Sequence, residues 1–297
     1  MRLVVDDWPP AAVAYMKDEQ MGEGAVFAGM TREELNSQYD QRTLVPDTGP
    51  LFDMWRQQSE ATASRVGAPR RLAYGDRQDQ FIDFFAAHQP VRGVHIHYHG
   101  GAWRALESRD VWWLAEPWLA AGFHFAAVNF GLVPRVTIAE QARDAALALK
   151  RLPGLVADAT PVPGAELVVS GHSSGAHLAA MAALTGLDHD RPLSWEPDHV
   201  ILASGLYDLE PVQLSSRNAY LQLDRDAALR LSPVQHVRHV DARVCILWSR
   251  NELEEFRRQS WSMAAALRER HVELVAVQCD ASTHFDTWAR IVPDLLR

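Results

Sequence analysis

The chain has 297 residues, 47% hydrophobic and 23% charged, with a net charge of −9, which suits one large α/β domain or two small ones. The acidic balance and the lack of a basic run argue against nucleic acid and anionic membrane surfaces as partners, and no apolar stretch approaches bilayer length. Met1-Arg2-Leu3-Val4-Val5-Asp6-Asp7 turns acidic before an apolar core develops, so no signal peptide is expected. Cys245 and Cys279, the only cysteines, read as free thiols of a cytoplasmic protein.

In chain order, residues 1–69 form a polar extension with two helical pieces. The first, 31–39, opens on Thr31-Arg32-Glu33-Glu34, which has capping-box spacing. The second, 51–66, places Phe52, Trp55, Ser59, Ala63 and Val66 on one helical face. From residue 70 onward, strand and helix patterns alternate. Strands are expected at 91–98, 123–130, 166–170, 199–204, 243–248 and 272–278. Helices are expected at 108–121, 137–152, 174–184 and 254–270, and Thr137-Ile138-Ala139-Glu140 supplies a second capping box. This alternation predicts an α/β domain over 70–297, with a mostly parallel central sheet and helices on both faces. Chemistry in such a sheet belongs at the carboxyl ends of its strands. Segment 206–235 breaks the rhythm and reads as a lid-like insertion.

Gly171-His172-Ser173-Ser174-Gly175 is a G-x-S-x-G pattern between a predicted strand and a predicted helix. That context makes a nucleophile elbow, in which the tight turn excludes side chains on either side of the serine. Upstream, strand 91–98 runs into His99-Gly100-Gly101-Ala102-Trp103. A His-Gly-Gly loop in this position offers bare backbone to a tetrahedral oxyanion. The N–H groups of Gly100, Gly101 and Ser174 are the candidate donors. His95, His97 and His99 alternate and would share one strand face. No Asp/His cluster completes a metal site around them, so neither a metal nor a cofactor is expected.

A serine hydroxyl needs a base, and the base needs a carboxylate to orient it. The order serine, acid, histidine points to His284, on a loop after the last predicted strand. The acid should follow the preceding strand, which selects Glu252. Asp208 is the rival. Glu254 and Glu255 suit the first turn of the next helix, and Asp286 lies too close to His284 to reach back to its ring. These residues read as Ser-Glu-His acyl transfer to water.

Together, these motifs resemble the kynurenine formamidase (arylformamidase) branch of the α/β-hydrolases. The likeness rests on His99 to Trp103, Gly171 to His177, Gly205-Leu206-Tyr207-Asp208-Leu209, Asn251-Glu252-Leu253-Glu254-Glu255-Phe256 and His284-Phe285-Asp286. It departs from the family at Glu252, where Asp is usual, and at Asn129-Phe130-Gly131-Leu132. The resemblance implies an α/β-hydrolase fold, no cofactor, and hydrolysis of an aryl N-formyl amide such as N-formylkynurenine. His99, Trp103 and Tyr207 are then candidate substrate contacts, and Trp112 and Trp113 could add to an aromatic pocket or simply fill the core. A carboxylesterase for small acyl esters is the nearest alternative. A catalytically inactive ligand-binding relative is a more distant one, since all three triad candidates are present. The amino-terminal extension is expected either to cap the site or to mediate a homodimer.

Overall fold

A computed structural model describes residues 24–88, 90–159, 164–186, 193–281 and 283–296. The chain opens with a small antiparallel hairpin, β1 (Ala25–Phe27) and β2 (Met30–Thr31). Helix α1 (Arg32–Ser37) follows, and Thr31 and Glu34 form the expected reciprocal capping box. Helix α2 (Gly49–Val66) buries Trp55, Ser59 and Thr62.

Eight strands form the main sheet: β3 (Arg70–Ala73), β4 (Phe81–Phe85), β5 (Gly93–Tyr98), β6 (Phe123–Asn129), β7 (Glu166–His172), β8 (His199–Ala203), β9 (Arg243–Ser249) and β10 (Leu274–Cys279). Their spatial order is β10-β9-β8-β7-β5-β6-β4-β3. Strands β5 to β10 pair in parallel, while β4 runs antiparallel to both β6 and β3. Every residue of β5 and β6 is buried, as a parallel sheet covered on both faces requires.

The sequence pattern missed β3 and β4. Strand β3 is a mostly exposed edge whose Arg70 and Arg71 break any apolar alternation. Strand β4 carries Asp83 in an otherwise apolar run, and this buried carboxylate is tied to Arg71, Ser108 and Trp112.

The covering helices are α3 (Ala115–Ala120), α4 (Ile138–Leu155), α5 (Ser174–Leu184) and α10 (Glu254–Glu269), with four short helices between β8 and β9. Those four are α6 (Glu210–Leu214), α7 (Asn218–Leu221), α8 (Arg225–Arg230) and α9 (Pro233–His236). Thr137 and Glu140 form the second capping box, on α4. The helix expected over 108–121 splits into a 3₁₀ stretch, Ser108–Leu114, followed by α3. Pro117 has no N–H to return to the carbonyl four residues earlier, which removes one hydrogen bond from a continuous α-helix at that point.

Alternation along β5 divides the core. Val94, Ile96 and Tyr98 face α4 and α5, whereas the opposite face packs Phe125, Ala127 and Val168 against Trp55, Trp118 and Trp288. Helix α2 therefore shares a core with the sheet. Among the described residues, no helix is long and apolar enough to cross a membrane. Cys245 and Cys279 are free thiols.

Candidate active site

Strand β7 ends at His172 and α5 begins at Ser174, which leaves Ser173 to make the whole turn at φ 54° and ψ −124°. A non-glycine residue held there stores strain, which a well-determined surrounding must sustain. The flanking glycines are a steric necessity. A Cβ on Gly171 would lie 2.2 Å from the Gly175 carbonyl oxygen, and one on Gly175 would lie 2.1 Å from the Tyr98 carbonyl oxygen. The Ser173 N–H donates to the Ala203 carbonyl at 2.9 Å, which anchors the turn to β8.

The His99–Trp103 loop leaves β5 beside this turn. A Cβ on Gly100 would come within 3.4 Å of the Ser173 Cβ, so the backbone there passes Ser173 at close range. Gly101 sits at φ 105°, and a Cβ there would lie 2.1 Å from the Ala105 carbonyl oxygen. Ala102 and Trp103 also adopt positive φ, so the loop is wound left-handed. Its shape is fixed from two sides. The Trp103 N–H donates to Ser174 Oγ at 3.2 Å, and Gln141 Nε2 donates to the Trp103 carbonyl at 2.8 Å.

His284 opens a 3₁₀ turn, His284–Arg290, capped by Thr283 and Asp286. Asp286 is thus occupied with the Thr283 N–H and hydroxyl. The His284 carbonyl lies 2.9 Å from His172 Nε2, and its ring packs edge-on against Phe256. His284 Nδ1 is 3.9 Å from Glu252 Oε1. That oxygen accepts hydrogen bonds from the Ser204 hydroxyl and, at 3.0 Å, from the Ser249 N–H. Burial pushes the Glu252 carboxyl up to about 8, against the two hydrogen bonds that favour its ionised form. Burial also takes the His284 imidazole down to about 3, and the positive charge of Arg217 adds to the shift. The two side chains therefore hold one proton between them near neutrality. Asp208 is paired with Arg258 at 3.4 Å instead. Glu255 is bound by Arg258 and Tyr39, in the first turn of α10 with Glu254.

Ser173, His172 and His284 line a cleft of about 800 Å³. Its aromatic wall comes from Tyr39, Phe52, Trp55, Tyr220, Phe285 and Trp288. Segment 206–235 contributes Ser216, Arg217, Ala219 and Tyr220.

The three candidate substrate contacts lie elsewhere, in the packing behind the cleft. His99 is stacked on Phe130 with centroids 4.3 Å apart, Trp103 donates its indole N–H to His177 at 3.2 Å, and Tyr207 is fully buried. All three are buried and are absent from the cleft lining. Trp112 and Trp113 are also absent from the lining; Trp112 donates to Asp83, and Trp113 packs against Trp288. Trp55 and Phe52 could have been suspected from the apolar face of α2. Nothing in the sequence indicated that this face meets the elbow.

His95 and His97 share one hydroxyl, that of Ser170, at 2.5 and 2.7 Å, and sit among Phe125, Trp118 and Trp288. No metal-binding group of His, Cys, Asp or Glu occurs among the described residues.

The strand order, the elbow after β7 and the glycine loop after β5 are those of an α/β-hydrolase-fold enzyme. Residues 83–267 match the BD-FAE family model, and the chain belongs to that family. It is kynurenine formamidase-like. The kynurenine formamidase of Danio rerio is 25% identical over 286 residues, which span 90% of this chain and 94% of that protein. A Silicibacter protein provisionally assigned as a thioesterase superposes with a TM-score of 0.76 at 24% identity, over 86% of this chain and 94% of its own. Esterase B of Lactobacillus rhamnosis superposes at 0.65 with 14% identity, over 86% and 92% of the two chains, and shares the fold.

Proposed function

We propose that the chain is a serine hydrolase that removes the N-formyl group from an aryl amine, with N-formylkynurenine as the leading substrate. The observation that carries the reading is the single turn at Ser173. This strained elbow opens into an aromatic-walled cleft and has a glycine loop on one side and a buried His284–Glu252 pair on the other. The kynurenine formamidase of Danio rerio supplies the substrate class.

In this mechanism Ser173 Oγ attacks the formyl carbon while His284 accepts the hydroxyl proton. In the active form, in which the pair has lost its proton, Glu252 is ionised, held by Ser204 and the Ser249 N–H, and stabilises the imidazolium. Negative charge collects on the former carbonyl oxygen, where the N–H groups of Gly100, Gly101 and Ser174 are the donors. Each such donor is typically worth ~10²–10³ in rate. His284 then gives its proton to the departing aryl amine, leaving a formyl ester on Ser173. Water, deprotonated by His284, attacks that ester and releases formate. Of the amino-terminal extension, the described residues 24–69 serve as a cap in this reading, and 206–235 as a lid, since both contribute cleft residues.

Turnover of small aryl esters by the same groups is the second reading. The aromatic wall suits an aryl leaving group of either kind, and ester chemistry is the easier of the two. The test is kcat/KM for N-formylkynurenine beside p-nitrophenyl acetate, on wild type and Ser173→Ala. A formamide value of ~10⁴ M⁻¹s⁻¹ or more, abolished by the substitution, supports the formamidase. Good ester turnover with negligible formamide cleavage leaves an esterase.

A further inference from the structure

The chain is acidic overall, with a net charge of −9, yet its cleft is not. The charged residues that line it are Asp40, Arg42, Arg104 and Arg217. Asp40 is engaged by Arg42 through two hydrogen bonds of 2.8 and 2.7 Å. Arg104 lies 4.2 Å over the Tyr220 ring, and neither it nor Arg217 forms a salt bridge with any carboxylate among the described residues. The charged side chains lining the cleft are therefore mostly positive, against the sign of the whole molecule.

Arg217 is the more enclosed of these two cations. It precedes α7, and its guanidinium is clamped between elements. Nη2 donates to the Tyr39 carbonyl at 2.8 Å, and the group lies 5.4 Å over the Tyr39 ring and 6.0 Å over the Phe256 ring. Phe256 in turn packs against His284, so the charge sits one aromatic ring from the proposed base. Nη1 is shut off from solvent and finds no hydrogen-bond partner among the described residues. A buried guanidinium N–H without an acceptor is costly. A carboxylate reaching Nη1 from the cleft suits it better than a neutral acceptor, because a charge-assisted hydrogen bond is the stronger one.

We propose that Arg217 is a carboxylate-binding residue of the cleft, and that the preferred substrate carries an anionic group on its aryl portion. This rests on Ser173 being the nucleophile of this cleft. It extends the formamidase reading by naming what holds the leaving group. Arg104, at the mouth, adds long-range attraction for the same charge.

The test uses two matched pairs. One is N-formylkynurenine and its carboxamide; the other is 4-acetoxybenzoate and 4-acetoxybenzamide. The readout is the ratio of kcat/KM, anionic over neutral, for wild type, Arg217→Met and Arg217→Lys. A ratio within each enzyme cancels any general effect of the substitution on His284. Wild type is expected to favour the anion by roughly 10- to 100-fold, the usual contribution of a hydrogen bond to a charged group. That preference should shrink with added salt, collapse in Arg217→Met and persist in part in Arg217→Lys. If Arg217→Met does not fold, the wild-type ratio and its salt dependence decide. A wild-type ratio near one overturns the proposal, as does a preference that survives unchanged in Arg217→Met. An anion preference in the ester pair with no formamide turnover retains the carboxylate site and discards the formamidase.

Discussion

Ser204→Ala tests the electrostatics of the proposed acid. Ser204 is fully buried and donates its hydroxyl to Glu252 Oε1, which also accepts the Ser249 N–H, and its oxygen lies 2.9 Å from the Thr287 hydroxyl. Burial raises the carboxyl to about 8, and of the groups that pull it back down the Ser204 hydroxyl has the strongest effect. A hydrogen bond to a buried charged group contributes about 1.5–3 kcal/mol, and 1.36 kcal/mol corresponds to one pH unit. Loss of the hydroxyl should therefore raise the carboxyl by about one to two units. The sign follows from which form is active. The triad works when Glu252 is ionised and His284 is neutral, so the rate rises with pH as the pair loses its last proton. In Ser204→Ala this limb moves to higher pH. The rate at pH 7 drops about 10- to 100-fold, and most of it returns at alkaline pH. The assay is kcat/KM for p-nitrophenyl acetate from pH 5 to 10 on both proteins, corrected for spontaneous hydrolysis, with thermal melting as a check on folding. An unshifted limb, a limb displaced to lower pH, or a loss uniform across pH would each refute the role given to Glu252.

Three further substitutions probe the rest of the site. Ser173→Ala should fold normally and lose ~10⁴-fold or more in kcat; near wild-type turnover would remove the mechanism. Gly101→Ala drives a methyl group to 2.1 Å from the Ala105 carbonyl oxygen at a φ that disfavours side chains. We expect a distorted oxyanion loop and a kcat loss of ~10² or more, with a smaller change in KM, and steady-state kinetics read both. Trp55→Ala removes a side chain that is 4% exposed and packed edge-on against Trp288 at 4.7 Å. It should cost about 3–5 kcal/mol in denaturant unfolding and raise KM for aryl substrates. An unchanged KM would detach α2 from substrate binding.

The legible part of the site is the part dictated by local sterics. An elbow as tight as that at Ser173 admits only glycine at 171 and 175, and the loop at Gly101 needs a positive φ, so the motif is written into consecutive residues. The parallel sheet was readable for a related reason: strands buried on both faces become unbroken apolar runs, as in Val244-Cys245-Ile246-Leu247-Trp248. The cleft wall was not readable. Trp55 meets Trp288 across more than two hundred residues of sequence, and the helical period of α2 reveals an apolar face without revealing what it touches. His99, Trp103 and Tyr207 lie outside the cleft lining for the converse reason. They lie next to the motifs in sequence, but their rings fill the space behind the glycine loop and the β8 turn and hold those turns in shape. Strands β3 and β4 escaped detection because an arginine-bearing edge and a buried Asp83 disguise them.

The ceiling of the cleft is assembled from two remote stretches of chain. Tyr39, Phe52 and Trp55 come from before the sheet, and Arg217 and Tyr220 from between β8 and β9. The two are stitched together by the Arg217 hydrogen bond to the Tyr39 carbonyl and by the Ser216 N–H donating to Asn36 Oδ1. Neither stretch bears the proposed nucleophile, base or acid. In the proposed mechanism, reaction and selection are thus encoded separately along the polypeptide. Laboratory evolution toward a new acyl donor should therefore succeed best with libraries that vary both stretches at once and leave the elbow alone, because either half altered singly meets an unchanged counterpart across the seam.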